Sequence, residues 1–374
     1  MSYRYNRTMI KNVEIQNFRT FRHLKINNLG QINVFIGKNN LGKSSLLEAI
    51  YLASDAADRI NTSSPYYILK RRGFAQRFKI EKEDDLEQLL INFKKHIFYD
   101  GTNDAEIVIE NSRPRKIRLS INLLYDTRSI IRILDNVLND LTIASRMKFI
   151  NYVPYASFAS ILTVNKIPTF LLLKIRRNTV ISIYLAYKVK TDTLKFFLDT
   201  CYLCGNTERL TRFIKSLEDI LQVGTYNGLK EIISSFFDKK IKSFEPSFSD
   251  YFVKFDDKSI PFSMLGDGIR YFITHYLVLS VEKPSYVFLE EPENFMHPEM
   301  LDLLTKLIVN TKHQVFIVTH SLEFLEKLLW HARESEADLK VLGFYDLEDG
   351  IPTIEEYTLK EAFNSLYKLD IDLR

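Results

Sequence analysis

Cysteines and long apolar runs are scarce in this chain of 374 residues, which contains two cysteines. It has no run of about 18 or more uncharged apolar residues, and the longest candidates, near residues 271–281 and 180–187, are too short to span a bilayer. Two arginines lie in residues 1–7, but no apolar segment follows them, so we expect no secretory signal. A soluble cytoplasmic protein is the simplest expectation.

The chain also lacks a strong excess of charge of one sign. Its formal net charge is +4, which neither requires nor excludes a nucleic-acid partner. The apolar share is 46% and the aromatic share is 13%, enough for a sizeable core, so disorder is not expected. The length suits two compact bodies, or one enlarged domain with an insertion.

Hydrophobic periodicity predicts strands and helices along most of the chain. The predicted strands cover residues 12–18, 24–26, 32–36, 106–110, 116–124, 286–289 and 315–318. The predicted helices cover residues 41–53, 81–96, 208–221, 229–237, 269–280, 300–310 and 322–330. A loop or lateral excursion is expected over 55–79, and a hairpin from the strands at 106–110 and 116–124.

The segments after residue 263 alternate between helix and buried strand. This alternation indicates a largely parallel sheet that is covered on both faces. Between residues 124 and 193 the order of strands and helices stays open. The long heptad pattern of a coiled coil is missing from the central region, so we expect a short lateral helical body with extra strands there.

A glycine-rich loop follows the strand predicted over 32–36 and precedes a helix. Residues 37–44 read GKNNLGKS and match G-x-x-x-x-G-K-[ST] at every fixed position. The glycines let backbone N–H groups curl around phosphate oxygens, and the helix N-terminus adds its positive end. Lys43 is expected to reach the β and γ phosphates, and Ser44 to ligate Mg²⁺. The alternative is an ordinary glycine-bearing turn.

An apolar strand over 286–289 ends in Glu290 and Glu291. A buried strand can hold an acid at its C-terminal edge, next to the phosphate loop, where Mg²⁺ must be held. We expect Glu290 to hold the metal, through water, and Glu291 to polarise the attacking water as a general base. The alternative is a solvated acidic turn that ends an ordinary strand.

A second apolar strand, over 315–318, runs into His320. One helix separates it from the acidic strand, so the two strands are expected to be neighbours in the sheet. That placement would let His320 touch the γ-phosphate or orient the water. A single histidine is otherwise more often structural.

These three features, in this order, resemble the ABC-type ATPase superfamily, in particular its SMC-like and OLD-like (overcoming lysogenization defect) groups. Residues 13–21 resemble the opening strand of these ATPase heads, and residues 291–298 resemble the acidic strand running into the D-loop. Residues 263–270 are similar to the signature motif of OLD-like proteins. The resemblance covers residues 9–54 and 260–325 and is weak between them.

The resemblance implies an α/β ABC-type head with a mixed or parallel sheet flanked by helices. It implies ATP and Mg²⁺ as cofactors, with Glu291, His320 and Lys43 catalytic and Ser44 and Glu290 at the metal. The nucleotide-binding residues that it implies are Arg19, Gly37, Lys38, Asn39, Asn40, Gly42, Lys43, Ser44, Ser45, Ser263, Gly266 and Gly268. The last three would act from the second chain of a homodimer that closes around ATP.

Two departures from the superfamily pattern matter. Glu290 stands where ABC proteins usually have Asp, a substitution that OLD-like ATPases also show. The signature is not Leu-Ser-Gly-Gly, so it stays open whether Ser263 or the backbone at Gly266–Gly268 contacts phosphate. A Q-loop glutamine is not identified, and Gln76 is one candidate.

We expect residues 1–60 and 250–374 to form the head and 61–249 to form the insertion. Cys201 and Cys204 form a Cys-x-x-Cys pair, but no second Cys or His pair lies nearby, so packed or free thiols compete with zinc or redox use. OLD-like proteins usually carry a C-terminal Toprim nuclease module. Because 54 residues follow His320, too few for such a module, we expect a chain that cuts nothing by itself.

Several basic clusters could track a phosphate backbone if they share one face, or could be solvated surface. They comprise Lys70, Arg71, Arg72, Arg77, Lys79, Arg113, Arg115, Lys116, Arg118, Lys174, Arg176 and Arg177.

The leading hypothesis is an OLD-like ATPase that dimerises around ATP and acts as a nucleotide switch. It would act on nucleic acid, with DNA favoured over RNA, or on a separate effector or nuclease protein. Such a role is typical of DNA repair or anti-phage defence. The alternatives are the ATP-binding subunit of a transport or scaffold assembly, and a P-loop kinase.

Overall fold

A computed structural model gives the structure of the protein. It describes residues 9–54, 95–102, 104–112, 116–124, 156–164, 167–175, 179–184, 194–199, 214, 223–237, 240–246, 251–283 and 285–368. In chain order the elements are β1 Ile10–Phe18, β2 Phe21–Ile26, β3 Ile32–Gly37, α1 Lys43–Ala53, β4 Asp104–Asn111, β5 Lys116–Leu124, β6 Ala156–Val164, β7 Ile167–Ile175, β8 Thr179–Tyr184, β9 Leu194–Asp199, α2 Val223–Phe237, β10 Ser243–Pro246, β11 Tyr251–Lys254, β12 Ser259–Pro261, a 3₁₀ turn Phe262–Met264, α3 Asp267–Leu279, β13 Ser285–Glu290, α4 Pro298–Asn310, β14 Gln314–Val318, α5 Leu322–Glu334, β15 Leu339–Glu348, β16 Ile351–Thr358 and α6 Leu359–Lys368.

A six-stranded sheet in the order β16-β15-β3-β14-β13-β9 forms the centre of the molecule. All neighbouring pairs are parallel except β15 with β16. Every residue of β3, β13 and β14 is buried, because helices or a second sheet cover both faces. The expectation that the histidine-bearing strand lies beside the acidic strand is confirmed by the parallel pairing of β13 with β14.

A seven-stranded antiparallel sheet in the order β2-β1-β4-β5-β6-β7-β8 forms a second layer. The hairpin expected near residues 106–124 is confirmed, since β4 and β5 pair with Ile107 opposite Leu119. Helix α1 lies between this sheet and the central one, and its side chains join one apolar cluster with residues of both. The Tyr51 ring meets Phe288 edge-on at 5.3 Å, and Phe288 stacks on Phe316 at 5.0 Å. Helix α1 is therefore buried almost all round.

The opposite face of the central sheet is covered by helices α2 to α6, which share a second apolar cluster with residues of β3, β13 and β14. A three-stranded antiparallel sheet, β10-β11-β12, packs on the same cluster and leads into α3. None of the helices in the described part of the chain is long and apolar enough to cross a membrane.

The mixed α/β fold class is confirmed, and most predicted elements occur within a few residues of their expected bounds. Helix α1 begins at Lys43 rather than 41, because the preceding residues form the phosphate loop, and α2 begins at Val223 rather than 229. Strands β10, β11, β12, β15 and β16 and helix α6 were not predicted. Apart from residue 214, which is helical, the helix expected over 208–221 lies outside the described residues, as do the loop over 55–79 and residues 81–94 of the helix expected over 81–96.

The range predicted as an insertion contributes strands to both large sheets. Strand β4 pairs with β1, and β9 pairs with β13 at the edge of the central sheet. The division into a head of 1–60 and 250–374 and an insertion of 61–249 stays a prediction, with these strands as the points where the two would join.

The buried side chain of His275 in α3 predicts that the stability of the core depends on pH. Its Nδ1 donates to the carbonyl of Tyr271 at 2.7 Å, since a carbonyl can only accept, and Nε2 is buried with no hydrogen-bond partner among the residues described. Burial lowers the pKa of His275 from 6.5 to about 4, with the Tyr271 hydrogen bond acting in the opposite direction.

Between pH 6.5 and about 4 the unfolded chain therefore binds a proton that the folded protein rejects, so stability is lost as the pH falls through this window. The loss from this group is on the order of 3 kcal/mol. We expect His275→Gln, which keeps a donor but does not titrate, to flatten the pH dependence of the unfolding free energy measured by urea denaturation. An unchanged slope would contradict this assignment.

Candidate functional site

The phosphate loop leaves the C-terminal end of β3 and enters α1. Gly37 has a φ of 125°, and a Cβ there would lie 2.1 Å from the carbonyl oxygen of Phe344 in β15. Gly42 has a φ of 93°, and a Cβ there would lie 2.4 Å from the ring of Phe21. Both positions therefore require glycine, and the loop lies against β15 and the β1–β2 turn. The first turn of a helix leaves N–H groups without intrahelical partners, so the start of α1 can offer donors to an anion in the loop.

Lys43 is buried and spans the loop from its first helical position. Its ammonium donates to the carbonyl of Gly37 at 2.7 Å and to that of Lys38 at 2.5 Å. Burial lowers the pKa of Lys43 to about 8, and the charges of Glu291 and Glu290 oppose that effect. A cation in this position is costly until an anion joins it, so the loop is built to receive negative charge.

Ser44 and Glu290 bring two oxygen atoms together beside the loop. The Ser44 hydroxyl donates to Oε1 of Glu290 at 2.5 Å, and Glu290 is buried at the end of β13. Hard oxygen donors of this kind suit Mg²⁺, which keeps several waters and takes few protein ligands. Within the described ranges no group of three or more His, Cys, Asp or Glu side chains could hold a metal ion.

Glu291 follows Glu290 in a left-handed backbone conformation, with a φ of 49°. Its N–H donates to the carbonyl of Val318 at the end of β14 at 2.8 Å, and Asn294 Nδ2 donates to its Oε2 at 2.8 Å. The strained turn points two successive carboxylates to different places: Glu290 toward Ser44, and Glu291 into the cleft.

His320 lies two residues beyond β14 and lines the same cleft as Lys43 and Glu291. Burial and the charge of Lys43 lower the pKa of His320, and Glu291 acts in the opposite direction. The imidazole is therefore neutral at neutral pH and has one nitrogen able to accept a hydrogen bond.

The cleft has a volume of about 750 Å³. It brings together nine of the residues proposed from the sequence: Arg19, Asn39, Asn40, Gly42, Lys43, Ser44, Ser45, Glu291 and His320. Gly37, Lys38 and Glu290 do not line the cleft, but they accept hydrogen bonds from Lys43 or Ser44, which do.

Thr20, Lys95 and His96 also line the cleft and were missed in the sequence. The segment at 95–99 reaches this position because Phe98 bridges to Phe18 and Ile97 accepts from the N–H of Arg19. A backbone contact between distant parts of the chain leaves no local pattern, so no sequence signal marked these residues.

Arg19 combines a place in the cleft with a buried ion pair. Its guanidinium contacts the carboxylate of Glu48, which is fully buried on α1, and stacks over Phe18 at 5.3 Å. The pair ties the β1–β2 turn to α1 and orients Arg19 at the edge of the cleft.

The signature residues Ser263, Gly266 and Gly268 do not line this cleft. Ser263 and Gly266 are exposed at the 3₁₀ turn and the start of α3, while a Cβ at Gly268 would lie 2.3 Å from the carbonyl oxygen of Phe295. The signature segment thus packs on residues after β13, and its exposed side lies outside the cleft of its own chain.

The basic clusters contribute two described side chains, both in ion pairs. Lys116 pairs with Glu110 at 3.2 Å and Arg118 with Glu106 at 2.6 Å across the β4–β5 hairpin. These pairings favour the solvated-surface interpretation for this cluster. The remaining basic side chains, Gln76, Cys201 and Cys204 lie outside what the structure describes.

Comparison with known families gives two matches. The family described as "AAA ATPase domain" matches residues 9–201, and the family described as "AAA domain, putative AbiEii toxin, Type IV TA system" matches residues 175–326.

The chain is also similar to individual proteins and to solved structures. An "ATP/GTP phosphatase" of Helicobacter pylori is 22% identical over 364 residues, covering 88% of this chain and 90% of that protein. A "DNA replication and repair protein RecF" of Lactobacillus johnsonii is 48% identical over 54 residues, 14% of each chain. The crystal structure of an Smc head domain from Pyrococcus furiosus superposes with a TM-score of 0.51 at 9% identity, covering 98% of this chain and 100% of that one, so the fold is shared.

The lowered pKa of Lys43 generates a proton-uptake prediction. Phosphate in the loop would favour the ammonium and raise the pKa of Lys43 from about 8, so binding at pH 8 should take up about half a proton at this group. Calorimetry of ADP binding in buffers of different ionisation enthalpy measures the uptake. Lys43→Arg, protonated throughout, serves as the control and should lack it. Equal uptake by both proteins would contradict the assignment.

Proposed function

This chain belongs to the AAA ATPase domain family, and from that premise we propose that it hydrolyses ATP to ADP and phosphate. The observation that carries the proposal is the convergence of Lys43, Glu291 and His320 in one cleft, with Ser44 and Glu290 hydrogen-bonded beside it. The similarity to an ATP/GTP phosphatase of Helicobacter pylori along most of both chains supports the same reaction class.

Each group has a separate task in this reaction. The loop N–H groups and Lys43 bind the β and γ phosphates, and Ser44 and Glu290 would hold Mg²⁺, which when bound neutralises phosphate charge. Glu291 takes a proton from the attacking water. At the same time the water oxygen bonds to the γ-phosphorus, and the bond between the γ-phosphorus and ADP breaks. Neutral His320 accepts a hydrogen bond from the water and orients it.

The proposed active form is a homodimer with ATP between the two chains. Ser263 and Gly266 are exposed and lie outside their own chain's cleft, which supports contact with a second copy. Met264 and Phe295, beside them, are 77% and 63% exposed, which is unusual for large apolar side chains and suits a surface covered on dimerisation. Closure on ATP and opening after hydrolysis would make the dimer a switch.

The proposed role is an OLD-like switch that acts on DNA or on a separate effector or nuclease, in DNA repair or anti-phage defence. The local similarity to RecF supports the DNA version. If the protein hydrolyses ATP but binds neither DNA nor RNA at low salt, the direct nucleic-acid version fails and the effector version stays.

Glu291→Gln tests the reaction. Removing the proton acceptor should lower phosphate release by about 10²–10⁴-fold while ATP binding persists, so the variant should accumulate as an ATP-bound dimer. Steady-state phosphate release and light scattering with Mg²⁺ and ATP measure the two effects. Glu299→Gln, an exposed carboxylate in the first turn of α4, is the matched control and should behave like the wild type. A wild-type protein without phosphate release from ATP would refute the proposed function.

Mixing two defective chains tests the shared site. Lys43→Ala removes the phosphate contact and Gly266→Glu puts negative charge on the signature segment, where a Cβ meets nothing within 4 Å. In a mixed dimer with shared sites, one site carries both defects and the other is intact, so an equal mixture should regain about a quarter of wild-type activity. Gly266→Ala controls for the side chain itself. A mixture no more active than its parts would place each site within one chain.

A further inference from the structure

Glu293 connects the two loops that carry Glu291 and His320. It lies in the segment after β13, and its Oε1 accepts from the Thr319 hydroxyl at 2.7 Å and from the N–H of His320 at 3.3 Å. Thr319 and His320 directly follow β14, the parallel neighbour of β13. One carboxylate oxygen therefore bridges the ends of two adjacent strands.

The bridge continues into α5 through hydroxyl groups. The Thr319 hydroxyl, which donates to Glu293, accepts from the N–H of Ser321 at 3.0 Å. The Ser321 hydroxyl in turn accepts from the N–H of Phe324 at 3.1 Å and caps the helix. Because His320 lies inside this chain of hydrogen bonds, its backbone position is set by Glu293 on one side and by the helix start on the other.

Glu293 also belongs to the turn that presents Glu291. The Asn294 side chain donates to Glu291, and the N–H of Met296 donates to the carbonyl of Glu293 at 3.1 Å. Glu291 keeps a left-handed φ of 49°, a conformation that persists only where surrounding contacts hold it. Glu293 does not line the cleft, whereas Glu291 and His320 both do.

The second carboxylate oxygen of Glu293 lowers the stability of the fold. Oε2 is buried and accepts no hydrogen bond from the residues that the structure describes. Burial raises the pKa of Glu293, with the hydrogen bonds from Thr319 and His320 acting in the opposite direction and the charge of Glu291 adding to the rise. A buried carboxylate with one oxygen unsatisfied lowers stability, and its presence between two cleft residues calls for a role other than folding.

We propose that Glu293 is a positioning residue for ATP hydrolysis, which sets the spacing between Glu291 and His320 through its hydrogen bonds to Thr319 and the backbone of His320. The inference rests on the proposed ATPase function. Because Glu293 does not line the cleft, its effect should fall on the reaction step rather than on nucleotide binding. It would also couple the segment carrying exposed Phe295 to His320, since Phe295 lies two residues further along the same turn.

Glu293→Ala, Glu293→Gln and Thr319→Val test the proposal by steady-state phosphate release. Displacing a reacting group by about 1 Å costs about 10²-fold in rate, so Glu293→Ala should lower kcat by about 10–100-fold while KM for ATP changes by less than about 3-fold. Glu293→Gln keeps an acceptor oxygen for both hydrogen bonds and should stay within about 5-fold of the wild-type kcat. Thr319→Val should lose part of the rate, and the double variant with Glu293→Ala should lose no more than Glu293→Ala alone.

The outcomes separate this inference from the proposed function. Wild-type phosphate release together with an unaffected Glu293→Ala variant would overturn the positioning role alone. Equal losses in Glu293→Ala and Glu293→Gln, with a lowered thermal midpoint in both, would assign Glu293 to folding and also overturn it. Absence of phosphate release from the wild type would refute the proposed function itself, and Glu299→Gln again serves as the exposed glutamate control.

Discussion

The parallel register of three neighbouring strands brings the site residues together at one edge of the central sheet. Strands β3, β14 and β13 lie side by side, with Val318 opposite Phe35 on one side and Glu290 on the other. Their C-terminal ends therefore meet at one edge of the sheet, where β3 supplies the phosphate loop, β13 the carboxylates and β14 the histidine. Slipping one strand by a single residue would turn its end away from the other two.

Burial on both faces of the sheet stabilises this register and also sets the electrostatics of the cleft. Helix α1 lies between the central and antiparallel sheets, so Lys43 at its start is buried along with the apolar residues that follow. Desolvation depresses the pKa of Lys43 and that of His320. The same packing thus leaves Lys43 partly desolvated at the edge of the sheet, and this favours the binding of an anion there.

Two carboxylates that do not line the cleft, Glu48 and Glu293, connect it to the rest of the fold. Arg19 and Glu48 join the β1–β2 turn to α1, and Glu293 joins the turn after β13 to the end of β14. Burial of these carboxylates costs stability relative to an apolar core. Such groups are expected where geometry matters more than stability, and both lie one contact away from cleft residues.

The local chemistry of the site could be predicted from the sequence. The phosphate loop, the two carboxylates after an apolar strand and the histidine after the next one are each contiguous segments, in which backbone conformation and residue order carry the information. The hairpin β4–β5 and the adjacency of β13 and β14 followed from the same kind of local pattern and chain order.

Tertiary structure alone decided which distant residues join that chemistry. Lys95 and His96 reach the cleft through a bridge between Phe98 and Phe18, β9 completes an edge of the central sheet, and Glu293 meets Thr319 across two strands. It also placed Ser263 and Gly266 outside their own chain's cleft. These contacts depend on strand register and on how far a side chain reaches across a packed interface, and neither quantity is written in the spacing of residues along the chain.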